Sequence, residues 1–190
     1  MTLEQEEHLQ QLLAEWRDER HLSIESQRAG LMGSLCEEMA EYYRATNESE
    51  KIDALCDTYV FCMNSIDVSF RYLKDMLNGH LKVFIINTDR RFFLLSQIER
   101  YLKIYKNIKI KGSYAENDFH KHLYILMKNV ENEAQELGYN FYKCMLETIK
   151  EISSRTGHYD KNIHKFVKDK SDEAVKKWYK ADYSKCRIKG

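Results

Sequence analysis

The chain contains no proline and only seven glycines in 190 residues. Proline breaks helix interiors and glycine loosens them, so their scarcity fits long, lightly interrupted helices. There is no excess of charge, because 30 basic residues cancel 30 acidic ones. That balance gives no global attraction toward nucleic acid or membrane surfaces. No apolar run is long enough to span a bilayer, and the first residues lack the basic-then-apolar pattern of a secretory leader. CxxC and HxxxH pairs are missing too, which disfavours a zinc site. The five cysteines (Cys36, Cys56, Cys62, Cys144, Cys186) are odd in number and fall within helical patterns, so they read as reduced thiols of a cytoplasmic protein. Neither an internal repeat nor a low-complexity linker divides the chain.

What is present is a hydrophobic content of 43%, enough to bury a core, arranged at helical spacing. Residues 3–21 place Leu9, Leu12, Leu13 and Trp16 on one side. Ser23 is suited to cap a second helix over 24–46, with Leu31, Leu35, Met39 and Tyr42 as its apolar side. A polar turn at 46–49 precedes a third helix expected over 49–78, striped by Ile52, Leu55, Tyr59, Met63 and Ile66 and ended by Asn78-Gly79. The middle is harder to read. Val83 to Ile86 is a short β-branched run, 89–106 is helical, and 108–114 alternates like a strand or extended loop. Helices are expected over 116–137, stopped by Gly138, and over 141–154, stopped near Gly157. The lysine-rich tail (Lys161, Lys165, Lys168, Lys170, Lys176, Lys177) is expected to hold one short helix near 171–179. It reads as a solvated surface, or as a tail folding over a triphosphate. The expectation is a single all-α domain over 1–190: a helical core over 10–78, an insertion over 80–115, and C-terminal helices with a tail over 116–190.

The informative stretch is CEEMAEYYRATNESEKIDALCD, residues 36–57. Glu38 and Glu41 are three apart and Asp53 and Asp57 four apart, so each pair shares a helix face. Folding the two helices into an antiparallel hairpin about residues 47–48 sets Glu41 level with Asp53, and Glu38 level with Asp57. Carboxylates packed about 5 Å apart repel by roughly 3 kcal/mol per pair at an effective dielectric near 20. A hard divalent cation offsets that repulsion well. Mg²⁺ takes oxygen ligands and keeps waters and phosphates in its other positions. Asn64, seven residues past Asp57, falls near the same face and is placed to donate to a phosphate or a metal-bound water. The competing reading is two solvated helix faces, since acid pairs at helical spacing are common in a chain that is 32% charged.

Residues 15–22 (EWRDERHL), 37–41 (EEMAE) and 53–61 (DALCDTYVF) resemble the MazG-like all-α nucleoside triphosphate pyrophosphohydrolases. That family's pattern is EExxE, a spacer and ExxD on two antiparallel helices, and one branch writes the second half as DALxD. The resemblance implies Mg²⁺, or Mn²⁺ in its place, held by Glu38, Glu41 and Asp57. Asp53 would stand in for the acid missing at Ala54. The rival register, Glu50 with Asp53, puts Glu50 too near the turn. The resemblance also implies a four-helix catalytic core completed by dimerisation, as a homodimer or homotetramer. The third helix's Tyr59, Cys62, Met63 and Ile66 are the expected contact face.

The activity implied is hydrolysis of a nucleoside triphosphate, deoxynucleotides included, to the monophosphate and pyrophosphate. Glu38 or Glu37 would accept the proton of the attacking water. Trp16 is weighed as a base-stacking residue against an ordinary core tryptophan. Ser153, Ser154, Arg155 and Lys165 are weighed as phosphate contacts against surface residues, with Arg155 kept as a binding residue. Of Tyr42 and Tyr43, one is expected to pack in the hairpin. His120 and His122, two apart, point to different faces and make a poor metal pair. One alternative function is a non-catalytic helical nucleotide-binding or interaction protein that keeps the fold. A di-iron bundle is disfavoured, because no histidine follows Glu38 or Glu41 by three residues.

Overall fold

Local capping chemistry sets most of the helix starts. Thr2 accepts from Gln5 N and forms a capping box that opens α1 (Leu3–Glu19). Ser23 accepts from Ser26 N at the start of α2 (Ile24–Arg44). Asn47 does the same for α3 (Glu48–Asn64) through Glu50 N. The computed structural model describes residues 1–77, 91–107, 113–162 and 165–188. Beyond α3 come α4 (Phe70–Met76), α5 (Arg91–Asn107), α6 (Tyr114–Glu136) and α7 (Phe141–Ser154). The strands β1 (Gly157–Asp160) and β2 (Lys165–Lys168), α8 (Asp172–Val175) and a 3₁₀ turn (Tyr183–Cys186) complete the chain. The fold is all-α with one antiparallel hairpin of two short strands. The expected β-branched run at 83–86, the Asn78-Gly79 stop and most of the 108–114 segment lie outside the described residues. None of the described helices is long and apolar enough to cross a membrane.

The third helix is shorter than its apolar stripe suggests. It stops at Asn64, and the chain turns before α4 rather than running on to residue 78. A continued helix would need the Ser65 carbonyl to accept from the amide four residues on. Instead the buried Arg28 guanidinium takes that oxygen, with Nε at 2.8 Å. Ser65 Oγ bonds back to Phe61 O at 3.0 Å, and Ser69 opens α4 by accepting from Tyr72 N at 3.2 Å. Serine hydroxyls compete with the helix ladder in this way. α6 ends where Gly138 takes a positive φ of 82°, which glycine adopts without a Cβ clash.

One core runs through the described chain. Leu9 and Leu13 of α1, Leu31 and Leu35 of α2, and Ile52, Tyr59 and Met63 of α3 join Leu123, Leu126 and Val130 of α6 and Phe141 and Met145 of α7. α5, inside the segment expected to be an insertion, buries Leu95, Ile98 and Leu102 in this same core against α2 and α6. α3 packs against α1, α2, α6 and α7. This corrects the expected dimer face. Tyr59, Cys62, Met63 and Ile66 are all buried by helices of their own chain. Tyr42 is half-buried and donates to Glu133, whereas Tyr43 is exposed.

The tail differs from expectation as well. The β1–β2 hairpin folds back after α7 in the register Gly157↔Lys168 to Asp160↔Lys165. Its four-residue strands are too short to show an alternating pattern. Gly157 is needed there, because a Cβ would run into the Val167 carbonyl oxygen and the Phe166 ring. α8, capped by Ser171, spans only Asp172–Val175 of the helix expected near 171–179.

Candidate functional site

The α2–α3 hairpin carries the four carboxylates. Its turn is closed by Glu50, whose Oε2 accepts from Thr46 N at 2.7 Å and Thr46 Oγ1 at 3.0 Å. That capping duty occupies the acid of the rival register. Glu38 is buried at 8% exposure, Asp57 is half-buried, and Glu41, Asp53 and Glu37 are exposed. The inner carboxyls are strongly perturbed. Burial, then repulsion from Asp57, Glu41, Asp53 and Glu37, pushes Glu38 up to about 8. Burial and the charge of Asp53 push Asp57 up to about 7, with Arg155 and Lys168 pulling it back. Asp53 is raised by the protein around its carboxyl, against a hydrogen bond from Tyr183. Electrostatically, Glu38 is thus the centre of the acidic group.

Ala54 is 2% exposed and lines, with Glu38 and Thr58, a cavity of about 20 Å³. That space has no room for a glutamate side chain at position 54.

Beside Asp57 opens a cleft of about 580 Å³, within the range usual for small-molecule sites. One wall is α2, where Ser26, Ala29, Gly30 and Ser34 present only small side chains. A Cβ added at Gly30 would meet nothing within 4 Å. Glycine inside a helix costs about 1 kcal/mol relative to alanine, and here it leaves open space. The opposite wall is Trp16, Arg20, Ile152, Arg155, Phe166 and Lys168. Arg20 lies over the Trp16 ring at 4.9 Å and the Phe166 ring at 5.2 Å. Its guanidinium also donates to the Ile152, Ser153 and Arg155 carbonyls that end α7, a favourable place for a cation. Trp16 Nε1 donates to Ile152 O at 3.3 Å, so the tryptophan is both cleft wall and packing element. Arg155 pairs with Glu151 at 2.7 Å and stays half-buried beside Asp57. The cleft thus combines aromatic walls with three cations: Arg20 on the Trp16 and Phe166 rings, and Arg155 and Lys168 beside Asp57, the one of the four hairpin acids that lines it.

No family model, no curated protein and no solved structure matches this chain.

Not every expected residue is in the cleft. Asn64 is 1% exposed, and its Oδ1 accepts from Arg17 at 2.7 Å. It faces the interior of the helix pack, because the turn after α3 draws it under α1. Ser153 is exposed, and Ser154 Oγ accepts from Tyr179 N at 2.8 Å, holding the tail. Lys165 lies on β2. In place of these, Arg20, Phe166 and Lys168 join Trp16 and Arg155. Lysine residues dispersed through a charged tail gave no local signal that one of them would line the cleft.

A second cluster was not anticipated. Asp67, Glu116 and His120 bring three ligand atoms within 4.8 Å of one another, a geometry that a metal ion could use. Arg28 already lies among them. Its NH2 is 2.8 Å from Asp67 Oδ1 and 2.8 Å from His120 Nε2, and its NH1 is 3.6 Å from Glu116 Oε1. The guanidinium supplies the positive charge that a cation would bring. The pair Glu116 and His120, four apart on α6, was legible only as one helix face. Its partners Arg28 and Asp67 come from elsewhere in the chain.

The four hairpin carboxylates offer oxygens only, the donor type that hard divalent cations take. No three of the four bring oxygens within 4.8 Å of one another.

Proposed function

We propose that the chain hydrolyses a nucleoside triphosphate, deoxynucleotides included, to the monophosphate and pyrophosphate, with Mg²⁺ held by Glu38, Glu41, Asp53 and Asp57. The observation that carries this reading is the half-buried Asp57, a member of the acidic group around the buried Glu38, lining a cleft that also holds Arg155 and Lys168. Acids alone repel phosphate, and bases alone would not need four acids. A triphosphate bound through a divalent cation satisfies both groups. Trp16, Leu22 and Phe166 offer apolar surface for a base, beside the Arg20 guanidinium that lies over both rings.

A bound Mg²⁺ supplies polarisation of the phosphoryl oxygens and orientation of water. Arg155 and Lys168 neutralise phosphate charge. Glu38 serves as the general base in preference to Glu37. It is buried beside the cluster and its proton affinity sits near neutral pH, where a base works best, whereas Glu37 is exposed. The small side chains of α2 leave space for the substrate.

A second reading, a helical nucleotide-binding or interaction protein without turnover, draws on two observations. One is the wide spacing of the acidic oxygens, and the other is the closed register at Ala54. One assay separates the two. The pure protein is incubated with each NTP and dNTP plus Mg²⁺, and pyrophosphate is measured against free phosphate. Pyrophosphate from at least one nucleotide, lost in Asp57→Asn, is expected. Turnover of none, with metal binding unchanged in Asp57→Asn, sinks the hydrolase reading.

A further inference from the structure

The 3₁₀ turn at the end of the chain reaches back to the acidic hairpin. Tyr183 is 4% exposed, and its hydroxyl donates to Asp53 Oδ1 at 2.7 Å across 130 residues of sequence. Behind it, Thr148 Oγ1 lies 3.0 Å from the Tyr183 oxygen and 3.0 Å from Cys144 O. An ionised carboxylate only accepts hydrogen bonds. The single Tyr183 proton therefore goes to Asp53, while Thr148 Oγ1, which donates to the Cys144 carbonyl, lies against the tyrosine oxygen. The row runs from α7 through the tail to α3.

The tyrosine is held on both sides. Ala181 N donates to Glu151 Oε2 at 2.8 Å and Asp182 N to Glu147 Oε2 at 3.1 Å, both on α7. Cys186 O accepts from Asn140 N at 2.8 Å, and Ile188 N donates to Gly138 O at 2.9 Å. Cys186 itself is buried. These ties fix the ring before any ligand arrives.

We infer that Tyr183 is a positioning residue for Asp53: it occupies one carboxylate oxygen, stops the carboxylate rotating, and leaves the other oxygen as a single metal ligand. This rests on the reading of Asp53 as a ligand. Asp53 is exposed, as is Glu41, on a surface helix face where a short carboxylate would otherwise be free to turn. Partners that orient a metal ligand are worth about ten- to a hundredfold in metal affinity.

The test uses Mn²⁺ as probe, its free signal followed by electron paramagnetic resonance, on the full chain and on Tyr183→Phe, Asp53→Asn and the double variant. Thermal unfolding in EDTA runs alongside. Tyr183→Phe keeps the buried ring and removes only the hydroxyl. About a tenfold weaker Mn²⁺ dissociation constant is expected in Tyr183→Phe. In the Asp53→Asn background the same change should have no effect on Mn²⁺ affinity, because Tyr183 acts through Asp53. A merely structural tyrosine would lower the melting temperature and leave the dissociation constant unmoved, and that result overturns the inference. So does a tenfold loss that persists in the Asp53→Asn background. If the parent chain binds no Mn²⁺, the metal reading falls and takes this inference with it. If the parent binds and Tyr183→Phe matches it, only the role of Tyr183 falls.

Discussion

Glu38→Gln should change how stability depends on pH in the metal-free chain. Glu38 is 8% exposed and is pushed from its ordinary 4.5 up to about 8, first by burial and then by Asp57, Glu41, Asp53 and Glu37. The folded chain therefore holds a proton there that the unfolded chain has released. Stability from this group is complete below the unfolded value and is lost as pH rises through about 8. Between pH 6.5 and 8 the loss is about 2 kcal/mol, from roughly 1.5 pH units at about 1.36 kcal/mol each. For a chain of this size that is roughly 4–8 °C of melting temperature. Other groups titrate in or near the window. His120, held below its ordinary value by burial and Arg28, stabilises as pH rises past it, and the Met1 amine, lowered by burial, works the same way. Both are common to parent and variant and cancel in the difference; Asp57, pushed up to about 7 and facing Glu38, titrates inside the window, so the difference reports the coupled pair. The assay is paired melts of the two proteins in EDTA at pH 6.5 and pH 8. The parent should lose about 2 kcal/mol relative to Glu38→Gln, and saturating Mg²⁺ should abolish the difference for the ion-binding parent. Parallel pH dependence in the two proteins would refute the claim that Glu38 is a buried acid among like charges.

Three further outcomes follow from the packing. Arg28→Met leaves Asp67 and the buried Glu116 without their guanidinium, and a cost of about 3–5 kcal/mol is expected in urea unfolding. Tyr59→Phe should be neutral or stabilise by about 1 kcal/mol in the same titration, because the fully buried Tyr59 hydroxyl has no hydrogen-bond partner among the described residues. A thiol reagent should modify one cysteine rapidly in the native protein, Cys36, and all five in denaturant, because Cys56, Cys62, Cys144 and Cys186 are buried.

Where the information is local, the residues read straight through to structure. The starts of α2 at Ser23 and of α7 at Asn140 follow from capping side chains and a clean 3.6-residue period. The pairing of Glu38 with Asp57, and of Glu41 with Asp53, needs only helix periodicity and a short turn. The carboxylate neighbours of Glu38 agree with that arithmetic. The end of α3 was not legible, because it depends on Arg28 capturing a carbonyl 37 residues away. The apolar stripe of α3 said that something would cover it and could not say what. A dimer partner and the chain's own α6 and α7 satisfy the same pattern, and the tertiary fold chose the latter.

Helix type and the acidic hairpin were thus determined by the sequence itself, since each rests on residues within a few turns of one another. The tertiary structure alone decided which basic and aromatic side chains face those acids. Arg155, Lys168, Phe166 and Tyr183 come from distant segments, and no periodicity connects them with residues 38 to 57. Their placement depends on how α7, the hairpin and the tail pack over a core that fixes every element at once.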